Sequence, residues 1–487
     1  MRIGPSLARA AVPRGRRYGL MRLRPALSLG VAFAAALSLQ VAHAQTLEEA
    51  LSSAYLNNPT LAAERAALRA TDERVPQALS NWRPTLEAFG SVGKRTTDSN
   101  RRTTFAGGGK QNLTPRTYGA QVTQPIYRGG QTVAETRAAE NAVRAGRARL
   151  DSVEQQVLLS AVTAYMDVYR DQAVLDLQIR NEQRLARQLE ATRDRFQVGE
   201  VTRTDVFQAE ARVAGATAAR VGAEGSLERS RATYRNVVGE VPGVLAQPAI
   251  PRELPRGLDQ AVAVAKQQNP DVLEAQYAER SSLDTVDQIR GEGLPTLSLQ
   301  GAAQRDHEAV FEDAETDTLE ALVNLDVPLY QAGSVASRLR QSKQNVVENR
   351  RILDQRRLDA IEGATSAWNN LQTARAALTS FRKAVQANEV ALEGVQREAE
   401  VGARTVLDIL DAEQELVDSQ VDLVAAQRDE IVATFELKTA IGELSAQELA
   451  LPVPYYDPTV HYEDVRNRWF GSDSVGGLRD ENFPRNR

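Results

Sequence analysis

Three aspartates and one arginine, set in two matching stretches, are the residues of this chain best placed to do chemistry. The stretches read VGEVTRTDVFQAEA at 198–211 and VGARTVLDILDAEQ at 401–414, and they carry Asp205, Arg404, Asp408 and Asp411. Asp408 and Asp411 are three residues apart, so on a helix their carboxylates share one face. Stacked carboxylates of this kind bind cations and repel anions. Asp205 and Asp408 each follow a threonine by three, Thr202 and Thr405, which is the spacing of a helix N-cap and its acidic partner. Gly199 and Gly402 stand just before, where a left-handed residue closes a preceding helix. Capping therefore accounts for Asp205 and Asp408 but leaves Asp411 unexplained.

Little else in the chain suits catalysis. There is no cysteine and there are three histidines, His43, His307 and His461. Disulfides, thiolate metal sites and a cysteine nucleophile are excluded. No Gly-rich phosphate loop and no cluster with metal-ligand spacing occurs in the sequence. The chain is expected to be no enzyme and to need no cofactor or metal.

The first 44 residues carry seven arginines and no acid, then an apolar run ending Ala42-His43-Ala44. This is the pattern of a secretory signal peptide cut after Ala44, with Met21 an alternative start. The remainder has 52 basic against 64 acidic residues, a net charge of −12, so nucleic acid is not a partner. No later apolar run reaches 18 residues, so a membrane can be crossed only with strands.

The elements that must position the acids come in two copies. At an offset of 203 residues, Pro125 matches Pro328, Tyr127 matches Tyr330, Gly199 matches Gly402 and Gly239 matches Gly442. Upstream the offset is 211, through Asn58-Pro59 and Asn269-Pro270. The expected organisation is a first repeat over 45–238, a Pro-rich linker at 239–257, a second repeat over 258–450 and a periplasmic tail at 451–487. Proline is absent from 126 to 241 and from 329 to 451. Proline inside a helix costs roughly 3 kcal/mol, so such voids suit long helices, about 130–197 and 333–400. Each would rise about 1.5 Å per residue, roughly 100 Å in all, which fits a helical tube or coiled coil rather than a globular core.

Between the prolines the apolar period falls to two. Leu86, Ala88, Gly90 and Val92 alternate with Thr85, Glu87, Phe89 and Ser91, and Leu319, Ala321, Val323, Leu325 and Val327 with polar Glu320, Asn324 and Asp326. Strands are expected at about 84–94, 115–125, 295–305 and 318–328, with Pro84, Pro125, Pro295 and Pro328 at strand–helix junctions. The segments between the paired strands, such as GKRTTDSNRRTTFAGGGKQNLTPR, read as polar surface loops. Four strands cannot close a barrel, which needs roughly eight or more, and a lipid-exposed edge is forbidden. An obligate oligomer with a pooled barrel follows. A soluble four-stranded sheet on a helical bundle is the alternative, and it leaves the long helices unexplained.

This doubled pattern, with TQPIYRGG, RFQVGEVTRTDVFQAEA and EVGARTVLDILDAEQELVDSQVDL, resembles the TolC family of outer-membrane efflux proteins, over about 45–450. The resemblance is to the TolC subgroup, since the N-terminal cysteine of the lipid-anchored members is missing. It implies a mainly α fold with a transmembrane β-barrel. The expected assembly is a homotrimer whose strands form a 12-stranded barrel in outer-membrane lipid, four per chain, continued by an α-helical periplasmic tunnel. It implies a passive exit duct of a tripartite efflux pump or type I secretion system, joined through a periplasmic adaptor to an inner-membrane transporter. Small molecules or unfolded protein would be the cargo. By the same resemblance Asp408 and Asp411 line the pore constriction, and Asp205 with Arg404 forms a tip latch. Ala399 stands where the family's latch has a tyrosine, and the extra charge of Arg203 would compensate. The turns Val198, Gly199, Thr202 and Val401, Gly402, Thr405 would meet the adaptor. An exported coiled-coil scaffold or adhesin without a lumen is the competing reading.

Overall fold

The computed structural model describes residues 45–99, 109–248 and 254–471. The expected signal peptide lies outside them. The first repeat opens with three short helices, α1 (Leu47–Asn57), α2 (Pro59–Asp72) and α3 (Arg74–Ser80). Strands β1 (Thr85–Val92), β2 (Arg95–Ser99), β3 (Gly109–Leu113) and β4 (Arg116–Arg128) follow, then helices α4 (Gln131–Gln197) and α5 (Arg203–Val238). The second repeat runs α6 (Leu258–Gln268), α7 (Pro270–Gly291), β5 (Thr296–His307), β6 (Glu315–Asp326), α8 (Ser334–Glu400) and α9 (Val406–Ile441). A short α10 (Val460–Arg466) lies in the tail.

Local chemistry sets these bounds. Asn58 and Asn269 cap α2 and α7, with Pro59 and Pro270 filling the first helical position, where no N–H is needed. Both asparagines also donate across the repeat, Asn58 Nδ2 to the Val237 carbonyl at 3.0 Å and Asn269 Nδ2 to the Ala440 carbonyl at 3.2 Å. Helices α4 and α8 are both 67 residues long and α5 and α9 both 36, so the duplication is kept in length as well as in sequence. At about 1.5 Å per residue, α4 and α8 each extend roughly 100 Å.

One antiparallel sheet joins the two repeats in the order β1-β4-β5-β6, with Thr85 opposite Thr123, Thr123 opposite Gln300 and Gln300 opposite Leu322. Among the described residues neither β1 nor β6 has a partner on its outer edge. Alternate side chains on one face are apolar and bare: Leu86 is 78% exposed and Leu319 89%. That is the reverse of a soluble sheet and the requirement of one facing lipid.

Strand ends depart from the sequence-based expectation in three places. Strand β4 runs through Pro125 to Arg128, and the register shifts between Pro125 and Tyr127. Proline has no N–H to give the ladder, so it sits at a bulge inside the strand rather than at a junction. At the far end, β5 continues to His307 and β6 begins at Glu315. Thr117 Oγ1 donates to Asp306 at 2.6 Å, and His307 pairs with Glu315 at 2.9 Å, so polar cross-strand pairs lengthen the ladder. The segment read as the first long loop also folds in part, as a separate β2–β3 ribbon pairing Thr96 with Asn112.

The main core lies where the middle of α4 meets α1, α5 and α9, around Leu51, Leu158, Tyr165, Met166, Tyr234 and Phe435. Each large side chain buried here stabilises the fold by about 1.5–3 kcal/mol. Burial pushes the Tyr165 hydroxyl up to about 12. Its oxygen lies 2.7 Å from the Gln45 carbonyl and 2.6 Å from that of Ala246, tying the start of the chain and the inter-repeat linker to α4. A second seam joins α6, α8 and α9 through Ala261, Ala265, Ala364, Leu371, Leu437 and Ile441. Alanines let these helices approach closely. Among the described residues no helix is long and apolar enough to cross a membrane.

The described part of the tail, up to residue 471, packs back on the first repeat, and the remainder of the expected tail lies outside the described residues. The Tyr456 N–H donates to Tyr55 Oη at 2.9 Å, His461 Nδ1 lies 3.0 Å from Asp72 Oδ2, and Arg466 pairs with Glu140 at 2.9 Å. Asp72 is fully buried, and burial raises its pKa against the opposing pull of His461.

Candidate functional site: the tips of the paired helices

Each long helix ends in the same turn. The Gly199 N–H donates to the Phe196 carbonyl at 3.0 Å and the Glu200 N–H to Arg195 at 2.9 Å; Gly402 and Ala403 repeat this with Ala399 and Glu398 at 3.0 and 2.9 Å. This double closure needs a left-handed residue, and Gly199 and Gly402 have φ of 80° and 77°. The next helix then starts on a capping box. The Thr202 N–H donates to Asp205 at 2.7 Å and the Thr405 N–H to Asp408 at 2.8 Å, while each threonine hydroxyl accepts from the aspartate N–H at 3.3 Å. Outside the turns, Val198 and Val401 are 72% and 80% exposed.

The structure places the four charged residues as follows. Asp205 is held by its own cap. Arg404, returned over the end of α8 by the glycine turn, pairs with Glu398 at 2.9 Å and approaches Asp408 at 3.9 Å. Within one chain Asp205 and Arg404 are therefore not brought together. The Thr405 N–H, its hydroxyl and then Arg404 hold the Asp408 carboxyl below the usual range, so it stays anionic. Asp411 is engaged differently: it meets Arg212 of α5 at 2.5 Å. Arg203, rather than joining a latch, lies over the Phe207 ring at 5.3 Å.

Sequence reasoning missed Arg212 and what surrounds it. Leu410 is 2% exposed and packs with Leu185 of α4 and Ala216 of α5, with Val213 and Val406 alongside. Glu413, one turn further on, is buried with Oε2 unpaired. Burial raises its pKa, and Arg184 of α4 partly opposes the rise. Leu410, Asp411 and Glu413 thus form a seam that holds the α8–α9 pair against the α4–α5 pair. At the offset of 203 residues Glu210 is the counterpart of Glu413, but nothing in the sequence marks Arg212.

The seam should respond to pH. A carboxyl whose folded pKa lies above its ordinary 4.5 contributes most when protonated, and that contribution is lost as pH rises through the folded value. Glu413→Gln is expected to raise the thermal midpoint of the helical part at neutral pH and to flatten its pH dependence. Melts of variant and parent from neutral pH down to about 4.5 check this; a lower midpoint for the variant at neutral pH would refute it.

Bare apolar strands joined to duplicated, acid-tipped helix pairs are what a chain of an outer-membrane channel requires. The family of outer membrane efflux proteins matches residues 50–240 and 261–443, and the chain belongs to it. It is similar to the outer membrane efflux protein BepC of Brucella suis, 36% identical over 440 residues, covering 90% of this chain and 94% of the relative. It is also similar to the outer membrane protein TolC of Vibrio cholerae, 28% identical over 415 residues, covering 83% of this chain and 92% of that one. Among solved structures, the Campylobacter jejuni CmeC outer membrane channel has the same fold, with a TM-score of 0.75 and 15% identity over 86% of this chain and 89% of that one. The protein is an outer-membrane efflux channel with its helical part in the periplasm. The scaffold or adhesin reading is set aside.

Proposed function

We propose that three copies pool their sheets into a 12-stranded barrel and their helices into a closed periplasmic tunnel, four strands coming from each chain. The observation that carries this is the four-stranded sheet with apolar residues outward and both edges open. In lipid those edges must be paired, and only another copy supplies them in register. The trimer conducts small molecules or unfolded protein passively to the exterior. An inner-membrane transporter supplies the energy, and a periplasmic adaptor docks on Val198, Gly199 and Thr202 and on Val401, Gly402 and Thr405. Asp408 forms the anionic constriction at the tunnel tips, with Asp411 one turn deeper. By the resemblance, Arg404 and Asp205 form the latch that holds the tip closed; within one chain Arg404 pairs with Glu398 and Asp205 with its own cap.

The purified protein is expected to run as a heat-modifiable trimer from outer-membrane fractions and to give cation-selective single-channel conductance in planar bilayers. A monomer without conductance would sink the reading.

A further inference from the structure

We infer that the C-terminal tail reaches the periplasmic leaflet of the outer membrane, where Trp469 and Phe470 form an aromatic foot on phospholipid. The tail has a direction. It touches Tyr55 at the end of α1, then Asp72 at the end of α2, then Arg83 just ahead of β1. It therefore climbs toward the sheet. At its top, Arg83 Nη1 donates to the Arg468 carbonyl at 2.6 Å, and the Arg83 guanidinium lies 4.9 Å from the Trp469 ring centre. Trp469 is thus seated on a residue two positions before the first residue of β1, Thr85.

That seat is at the lipid boundary. Leu86, the first outward apolar residue of β1, is 78% exposed. Trp82 stands partly exposed below it. Yet Trp469 and Phe470 are 58% and 86% exposed, with ring centres 6.4 Å apart. A tail already held by His461 against the buried Asp72 has no need of two bare aromatics in water. Tryptophan at the headgroup level keeps its ring in the acyl boundary and its N–H in the polar layer. The guanidinium of Arg83 suits an adjoining phosphate. The lipid is a periplasmic-leaflet phospholipid, because the foot lies at the helical, periplasmic end of the strands.

The chain has three tryptophans, so Trp82→Phe with Trp368→Phe leaves Trp469 as sole reporter. The full-length protein, reconstituted in phosphatidylethanolamine–phosphatidylglycerol vesicles, is expected to lose most of its emission to lipid brominated near the headgroup end of the acyl chain, and little to aqueous iodide. Quenching by iodide without quenching by lipid would place the ring in water. Protection from both would mean that protein covers it. Either result overturns the inference. A second measurement is independent of those substitutions: the chain has no cysteine, so Phe470→Cys takes a single nitroxide label. Its relaxation should be faster with oxygen, which partitions into lipid, than with a water-soluble nickel chelate; the reverse order overturns the inference.

Discussion

Gly442→Ala is expected to cripple the periplasmic half of the protein, while Gly239→Ala, the same change at the matching position, is expected to be mild. Both glycines close a 36-residue helix with φ of 88°. An alanine in that left-handed conformation costs about 1–2 kcal/mol at either site. What differs is the neighbour. A β-carbon on Gly239 would meet only the Asn57 side chain, at 3.7 Å, which is ordinary contact. On Gly442 it would lie 2.6 Å from the Gln268 carbonyl oxygen and 2.8 Å from its carbon. Those are backbone atoms of the last residue of α6, and they cannot rotate away. The seam of Leu437 and Ile441 against Ala261 and Ala265 would have to open, and the total should reach roughly 3–5 kcal/mol. Thermal melts followed by circular dichroism in detergent check this, with a much larger fall in midpoint for Gly442→Ala. Equal shifts would mean that the α6–α7 junction yields and that the close approach is not structural.

That pair of glycines also shows what the sequence can and cannot reveal. Their equivalence is legible, because a constant offset of 203 needs no structure. Their inequality is not, because it depends on whether a side chain or a carbonyl approaches from another element. The long helices were legible because proline is absent, and the four main strands because Leu86 and Leu319 begin alternating runs. The β2–β3 ribbon pairs Thr96 and Thr97 with Asn112 and Gln111, so no apolar alternation announced it. At the tips, the capping boxes span three residues and could be read locally. The Arg212–Asp411 pair spans 199 residues and exists only because α5 is packed beside α9. Tail contacts such as His461 with Asp72 are still more remote, 389 residues apart.

The same pair yields a graded expectation for the gate. If both aspartates faced the pore uncompensated, their neutral variants would weaken cation block alike. In the proposed constriction Arg212 removes that equivalence: it pairs with Asp411 at 2.5 Å, whereas Arg404 stands 3.9 Å from Asp408 and pairs more closely with Glu398, so Asp408 would carry more of the field. Asp408→Asn should therefore weaken block by a multivalent cation about tenfold or more, since three charges leave one constriction together. Asp411→Asn should weaken it little. Its main effect should be a looser tip, because the seam loses an ion pair in every copy. An exposed pair is worth about 0–1 kcal/mol, so three broken together raise the open fraction by up to roughly two orders of magnitude. Arg212→Gln breaks the same pair and frees Asp411, so conductance and cation block should rise together. The exchange of Arg212→Asp with Asp411→Arg separates the two roles. It restores the pair, and with it low conductance, but sets a cation one turn above Asp408, so block should fall. Single-channel records of the four variants, with and without the blocking cation, decide the matter. If Asp411→Asn abolished block as completely as Asp408→Asn, Arg212 would not balance Asp411 in the assembled channel.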